Sequence, residues 1–308
     1  MQENMELSAS ERADAGKKCT WVGFCVNALL SVLKIMAGAF GHSGAMIADG
    51  IHSASDFVTD IIVIAFLGVT ARKPDRRHSY GHGKFETFAT FLISVALFAI
   101  ALFLFKEATE KIVAALNGTV LMRPTYLALS LAAVSVVAKE ILFKYTRNVG
   151  VKIDSATVIA NAWHHRSDSV SSIAAFAGIA GAMFLGEGWR ILDPIVALLV
   201  SIFIVVVAVK LSVPAISELL ESSLPEEINE LVGKTISETP GVKSFHRFRS
   251  RKNGVHSVFD FHIQVNPDIS VTEAHDISSD VEARIGKIIP HSITNVHIEP
   301  YHPGQTVK

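Results

Sequence analysis

The stretch Ala48-Asp49-Gly50-Ile51-His52-Ser53-Ala54-Ser55-Asp56 lies inside an apolar run from Ala45 to Val69. Asp49, His52, Asp56 and Asp60 follow one another at intervals of three, four and four. On a helix that spacing stacks them as one polar stripe. In lipid the stripe is costly, since one charged group near the bilayer centre costs about 2.5 kcal/mol or more. It is therefore expected to face the interior of a helix bundle and to mark an ion or proton pathway. The plainer alternative is polar glue between helices.

The rest of the chain supports a bilayer as the solvent. Half of the 308 residues are hydrophobic and 19% are charged, with a mean hydropathy of +0.39, too apolar for a soluble chain with one ordinary core. A hydrocarbon core of roughly 30 Å takes about 20 apolar residues per helix. Runs of that kind cover Thr20 to Phe40, Ala45 to Val69, Thr87 to Phe105, Thr125 to Phe143, Thr157 to Leu185 and Ile191 to Val213. The expected architecture is an N-terminal arm (1–19), an all-α membrane bundle of six transmembrane helices (20–214) and a polar C-terminal domain (215–308).

Charge sets the orientation. The connection after the second run holds Arg72, Lys73, Arg76, Arg77 and Lys84, the one after the fourth holds Lys144, Arg147 and Lys152, and the arm adds Arg12, Lys17 and Lys18. The opposite side has Lys106, Lys111, Arg123 and Arg190. The positive-inside rule thus predicts both termini, and the C-terminal domain, in the cytoplasm. A net charge of -1 gives no electrostatic reason to expect a nucleic-acid partner. Cys19 and Cys25 are the two cysteines, which excludes a disulfide framework. The arm lacks the short apolar core of a cleaved signal peptide.

Beyond about Leu224 the periods become those of a soluble domain. A helix is expected near Pro225 to Ser237, a strand over Val242 to Ser250, and a hairpin at Asn253-Gly254. Val255 to Val265 alternates, with Phe259, Phe261, Ile263 and Val265 on one face and Asp260 and His262 on the other. Ser270-x-x-Glu273 reads as a capping box for a helix to about Ile288, and Ser292 to Glu299 closes with a third strand. The order αββαβ suggests a small ferredoxin-like α+β domain.

The fifth apolar run repeats the chemistry of the second. His164 and Asp168 are four apart, like His52 and Asp56, with Asn161 one turn earlier and Ser171 and Ser172 one turn later. Two facing helices would offer two imidazoles and two carboxylates to one ion, a tetrahedral N/O set that suits zinc. A closed four-ligand shell leaves no position for an activated water, which favours passing an ion over hydrolysis. His165 and Arg166 point elsewhere around the helix and are left out. Asp75, His78 and His82 have metal-ligand spacing too, although on spacing alone a solvated basic loop is the plainer reading. In the C-terminal domain His262, His297 and Glu299 can share a sheet face, and His246 and His275 could join them; chance clustering explains that spacing equally well. Asp193-Pro194 reads as the N-cap and first residue of the sixth helix.

Ala48 to Asp56, His78-Ser79-Tyr80-Gly81-His82-Gly83-Lys84 with Glu86, and Trp163-His164-His165-Arg166-Ser167-Asp168, in this order, resemble the cation diffusion facilitator family, especially bacterial zinc and iron exporters. The likeness runs from about Lys17 to Tyr301. It implies an integral protein of a bacterial inner or plasma membrane that forms a homodimer in lipid. It also implies a midplane transport site of His52, Asp56, His164 and Asp168, a loop site of Asp75, His78 and His82, and a binuclear site in the cytoplasmic domain at His246, His262, His275, His297 and Glu299. Lys84 and Glu221 resemble the salt bridge by which relatives interlock membrane and cytoplasmic parts.

The expected function is export of a divalent metal cation, zinc first, by alternating access, with Fe2+, Cd2+, Co2+ and Mn2+ as alternatives; no catalytic cofactor and no enzymatic activity are expected. Two carboxylates, two neutral imidazoles and one divalent cation sum to zero charge, the cheapest state at membrane depth. Two protons would restore neutrality to the site once the metal has left, and metal and protons compete for the same ligands, so protons are the expected counter-ion. Asp49, Asp60 and Asn161 are candidate pathway residues. Remoter readings are an intramembrane metallohydrolase, for which no His-Glu-x-x-His or Gly-x-Ser-x-Gly is present, and a metal-sensing membrane scaffold.

Overall fold

A computed structural model describes residues 9–55, 75–153, 155–254 and 256–302, with the backbone alone at 9–13, 156, 157, 160 and 164. Two compact units divide the chain: residues 1–61 with 93–210, and residues 62–92 with 211–308.

Helices account for the apolar half. They are α1 (Ala9–Phe40), α2 (described over 44–55), α3 (Lys84–Leu116), α4 (Tyr126–Lys152), α5 (Ala156–Phe184) and α6 (Leu192–Leu219), with a short 3-10 turn, Glu187–Ile191, before α6. Among the described residues five helices are long and apolar enough to cross a membrane. The remainder of the expected second span, with Asp56 and Asp60, lies outside the described residues. Several helices outrun their apolar runs. The 33 residues of α3 make about 50 Å of helix, against the ~30 Å that hydrocarbon requires, so its polar ends stay helical beyond the apolar stretch.

Small residues let these helices approach closely, as is usual where lipid supplies no hydrophobic drive between helices. A Cβ on Gly50 would stand 2.9 Å from the Ile35 backbone nitrogen, and one on Gly38 would stand 2.6 Å from that of Ile47. Helices α1 and α2 therefore touch backbone to backbone. Gly150 makes the same approach between α4 and α5, against the nitrogen of Ile159.

Asp193 departs from its expected role. Helix α6 begins at Leu192, so Asp193 lies in its first turn, and its carboxylate accepts from Ser43 Oγ at 2.5 Å and from the Gly44 N–H at 2.8 Å. It caps the start of α2. Ser43 Oγ in turn accepts from the Met46 N–H. The unsatisfied amides at the start of a buried helix need such an acceptor, and sequence spacing does not reveal a cap that comes from another helix.

The second unit carries α7 (Glu226–Ser237), β1 (Ser244–Asn253), β2 (His256–Val265), α8 (Val271–Ile288) and β3 (Ser292–Pro300). Strand β1 pairs antiparallel with β2, and β3 lies parallel beside β2. The αββαβ order holds. The described residues form an α+β layer on three strands, without the fourth strand of a complete ferredoxin-like sheet. Phe259, Phe261, Ile263 and Val265 of β2 pack against Val232 and Ile236 of α7 and Val281 and Ile285 of α8. Both helices thus cover one face of the sheet and leave the His262 face to other uses.

Helix α8 starts with the expected capping box: Ser270 Oγ accepts from the Glu273 N–H at 3.2 Å, and Glu273 Oε2 accepts from the Ser270 N–H at 2.8 Å. The Ser270 N–H, then its hydroxyl, hold the Glu273 carboxyl below its ordinary range. A lowered folded value means that this contribution to stability is present above the ordinary glutamate range and is lost as pH falls through the lowered value. Ser270→Ala is expected to destabilise the start of α8 by about 1 kcal/mol, read as faster amide hydrogen exchange in the full-length protein. Glu273→Gln should remove the acid-dependent part of that protection. Wild-type protection that stays flat through the acid range would contradict the assignment.

Candidate metal centres

Four helices, α1, α2, α4 and α5, meet in one polar network. Lys34 of α1 and Asp49 of α2 are fully buried and pair at 2.8 Å. Lys34 Nζ also donates to Ser53 Oγ of α2 at 3.1 Å and to Ser172 Oγ of α5 at 2.9 Å. Asp49 accepts from Ser171 Oγ at 2.8 Å and from Ser172 Oγ at 3.0 Å. A second lysine, Lys139 of α4, is buried 3.6 Å from Asp168 Oδ2 of α5 and 3.4 Å from Ser53 Oγ. Two ammonium groups, two carboxylates and three hydroxyls thus match one another within the bundle.

His52 lies next to Ser53 in this network. Its ring is buried edge-on to Phe203, with centroids 5.0 Å apart, and its Nδ1 makes no hydrogen bond among the described residues. Asp56 and Asp60 are outside the described residues, as is the side chain of His164. Asn161 is half-buried on α5. His165, set aside on spacing, is buried beside α1, its Nδ1 3.5 Å from Asn27 Nδ2.

Asp49 is a pathway candidate by sequence, and in the structure its carboxylate is engaged by Lys34 and two serines. Neither Lys34 nor Lys139 was singled out in the sequence. The signal is present: each is a lone lysine inside an apolar run, and the cost of burying the Asp49 carboxylate applies equally to an ammonium.

The loop before α3 folds around Asp75. Asp75 Oδ1 accepts from the N–H groups of Arg77 and His78, both at 2.7 Å, and these amides, that of His78 first, hold its carboxyl below the usual carboxylate range. His78 Nδ1 and His82 Nε2 stand 3.4 and 3.3 Å from the two Asp75 oxygens. One ligand atom from each of Asp75, His78 and His82 fits within 4.8 Å of the others, and Phe85 packs against both rings. Helix α3 then starts at Lys84, whose ammonium pairs with Glu221. Arg251 engages the same carboxylate at 3.2 Å. The β1–β2 hairpin tip closes on the loop: a Cβ on Gly254 would stand 2.9 Å from Gly83 Cα, Asn253 Nδ2 donates to the Tyr80 carbonyl, and the Gly254 N–H donates to Glu218.

In the sheet, register does what spacing could not. His246 lies opposite His262 on β1 and β2, and His262 lies opposite His297 on β3. Cross-strand neighbours stand about 4.5–5.5 Å apart, so three imidazoles form a row, with ring centroids 5.1 and 4.5 Å apart. Glu299, two residues beyond His297 on the same face, is 2.8 Å from His262 Nδ1, 3.3 Å from His246 Nε2 and 3.7 Å from His297 Nε2. Its carboxyl is held below the ordinary range, first by the His262 hydrogen bond. His246, His262 and Glu299 can present ligand atoms within 4.8 Å of one another. His275 is exposed on α8, which packs on the opposite face of the sheet, and is not grouped with them.

A family model described as the cation efflux transmembrane domain matches residues 20–220, and one described as the cytoplasmic domain of cation efflux proteins matches residues 224–301. The manganese efflux system protein MneP of Bacillus subtilis (strain 168) is 32% identical over 298 residues, covering 95% of this chain and 99% of that protein. Metal tolerance protein C1 of Arabidopsis thaliana is 34% identical, covering 93% of this chain and 63% of that protein. The magnetosome protein MamM of Paramagnetospirillum magneticum is 30% identical, covering 94% and 89%. With both halves matched in order, and with apolar helices followed by a polar α+β domain, this chain is an integral membrane protein belonging to the cation diffusion facilitator family.

Proposed function

We propose that this protein exports a divalent transition-metal cation, zinc foremost, in exchange for protons by alternating access. The observation that carries the reading is a buried imidazole, His52, with a ring nitrogen that makes no hydrogen bond among the described residues, beside a buried network that holds the Asp168 carboxylate. Buried nitrogen and carboxylate ligands of this kind suit a borderline divalent ion. His52, Asp56, His164 and Asp168 are its ligands in this proposal, and Asn161 and Asp60 border the route. Because those ligands must be deprotonated to hold metal, proton and metal occupancy oppose each other. The matched cytoplasmic-domain model is named for dimerisation, which supports a homodimer; the excess of lysine and arginine on one set of connections supports both termini in the cytoplasm, in this proposal at a bacterial inner membrane.

A second reading, manganese as the cargo, is favoured by the likeness to the manganese efflux protein of Bacillus subtilis. Two imidazoles in the proposed ligand set weigh toward zinc, because manganese prefers harder oxygen ligands. Asp75, His78 and His82, and the row His246, His262 and His297 with Glu299, are proposed as further metal sites in the second unit.

Purified protein in proteoliposomes, offered Zn2+, Mn2+, Fe2+ and Cd2+ separately, should take up Zn2+ fastest, and collapsing an imposed pH gradient should lower the initial rate. Uptake indifferent to the gradient would count against antiport, and faster Mn2+ uptake would select the second reading. Asp168→Ala is expected to reduce uptake to the protein-free background while the protein remains folded. Glu299→Ala removes the carboxylate that three imidazoles share, so equilibrium dialysis should find fewer ions bound per chain. An unchanged count would take that cluster out of metal binding.

A further inference from the structure

The two buried lysines are held differently. Lys34 has three partners at 2.8–3.1 Å: the Asp49 carboxylate, Ser53 Oγ and Ser172 Oγ. Those are full hydrogen-bond distances, and the group is fixed on every side. Lys139 lies 3.4 Å from Ser53 Oγ and 3.6 Å from Asp168 Oδ2, and the latter distance is an ion pair rather than a hydrogen bond. Both side chains are almost completely buried, so the difference does not come from solvent. Lys139 therefore holds its carboxylate by charge, through a flexible four-carbon stem that can withdraw.

We propose that the Lys139 ammonium is a tethered competitor of the transported cation for Asp168, and thereby a specificity-determining residue. The inference rests on the reading of Asp168 as a transport ligand. An ion that binds Asp168 must first displace a unit positive charge already there. A divalent cation gains more from the carboxylate than the ammonium does, whereas a monovalent ion has no such advantage. As the ion leaves, the ammonium returns, so Asp168 is never a bare anion in a medium that solvates it poorly. Lys34 adds to the same bias without exchanging, because its own partners hold it and it shares Ser53 with Lys139. The residue thus weakens metal binding and speeds release, which a transporter needs and a storage site does not.

The test measures initial uptake against Zn2+ and Mn2+ concentration at one fixed pH, with full-length wild type, Lys139→Gln, Lys139→Arg and Asp168→Ala in matched proteoliposomes. Lys139→Gln keeps a polar end without the charge. Its KM should fall roughly tenfold, the scale on which one neighbouring charge acts, and its kcat should fall as release slows. A purely structural lysine would lower the folded yield and leave KM in place. A Lys139→Gln KM at or above the wild-type value overturns the proposal. Should that variant not fold, Lys139→Arg decides: transport with KM at or above wild type agrees with a retained competitor, and KM below wild type overturns it. Asp168→Ala separates the two layers. If it transports like wild type, the ligand reading itself fails; if it is inactive while Lys139→Gln keeps the wild-type KM, the competitor alone fails.

Discussion

Hydrocarbon does not solvate charge, so every ionised group within the bundle must find its opposite there. Lys34 with Asp49 and Lys139 with Asp168 meet that demand across α1, α2, α4 and α5, and Ser53, Ser171 and Ser172 take up much of their remaining hydrogen-bonding capacity. Removing one member of such a buried pair typically costs about 3–5 kcal/mol, because its partner is left unmatched. The pairs therefore set how each helix is rotated about its own axis. Close approach at Gly38 and Gly50 brings α1 within reach of α2, and the capping of α2 by Asp193 ties α6 to the same frame.

The second unit is organised by water instead. Apolar side chains of β2 leave water on one face, against α7 and α8, and the alternation of a strand then commits His262 to the opposite face. Strand pairing adds His246 and His297 at the same level. Such a row stands on hydrogen-bonded backbone, which holds ligands more exactly than a loop does. The loop compensates by another route: amides of Arg77 and His78 orient Asp75, and the hairpin tip closes on Gly83 where neither glycine has a side chain.

Several elements were legible because a local rule wrote them. Ser270 and Glu273 form their capping box three residues apart, Asn253-Gly254 turns the hairpin, and the apolar runs of α3 to α6 are helices. Asp75, His78 and His82 are close enough in sequence that one loop collects them. The Asp193 cap was not legible, since its acceptor serves a helix 150 residues earlier. Spacing alone does not separate His275 from the other histidines, whereas the packing of α8 on the far face of the sheet does. Lys34 and Lys139 carry no metal-ligand spacing, and their role in balancing charge depends on partners in other helices.

Composition and periodicity by themselves determined that the chain enters a membrane, that a polar α+β domain follows, and that histidine and aspartate occupy helix faces within the apolar region. These are properties of neighbours along the chain, and a 3.6-residue or two-residue period is enough to expose them. Tertiary structure alone decided which charges pair, which strands stand side by side, and which helix caps which. Those outcomes depend on contacts between residues far apart along the chain, such as Lys139 with Ser53, 86 positions away, or Asp49 with Ser172, 123 positions away, and no local period encodes a partner at that distance.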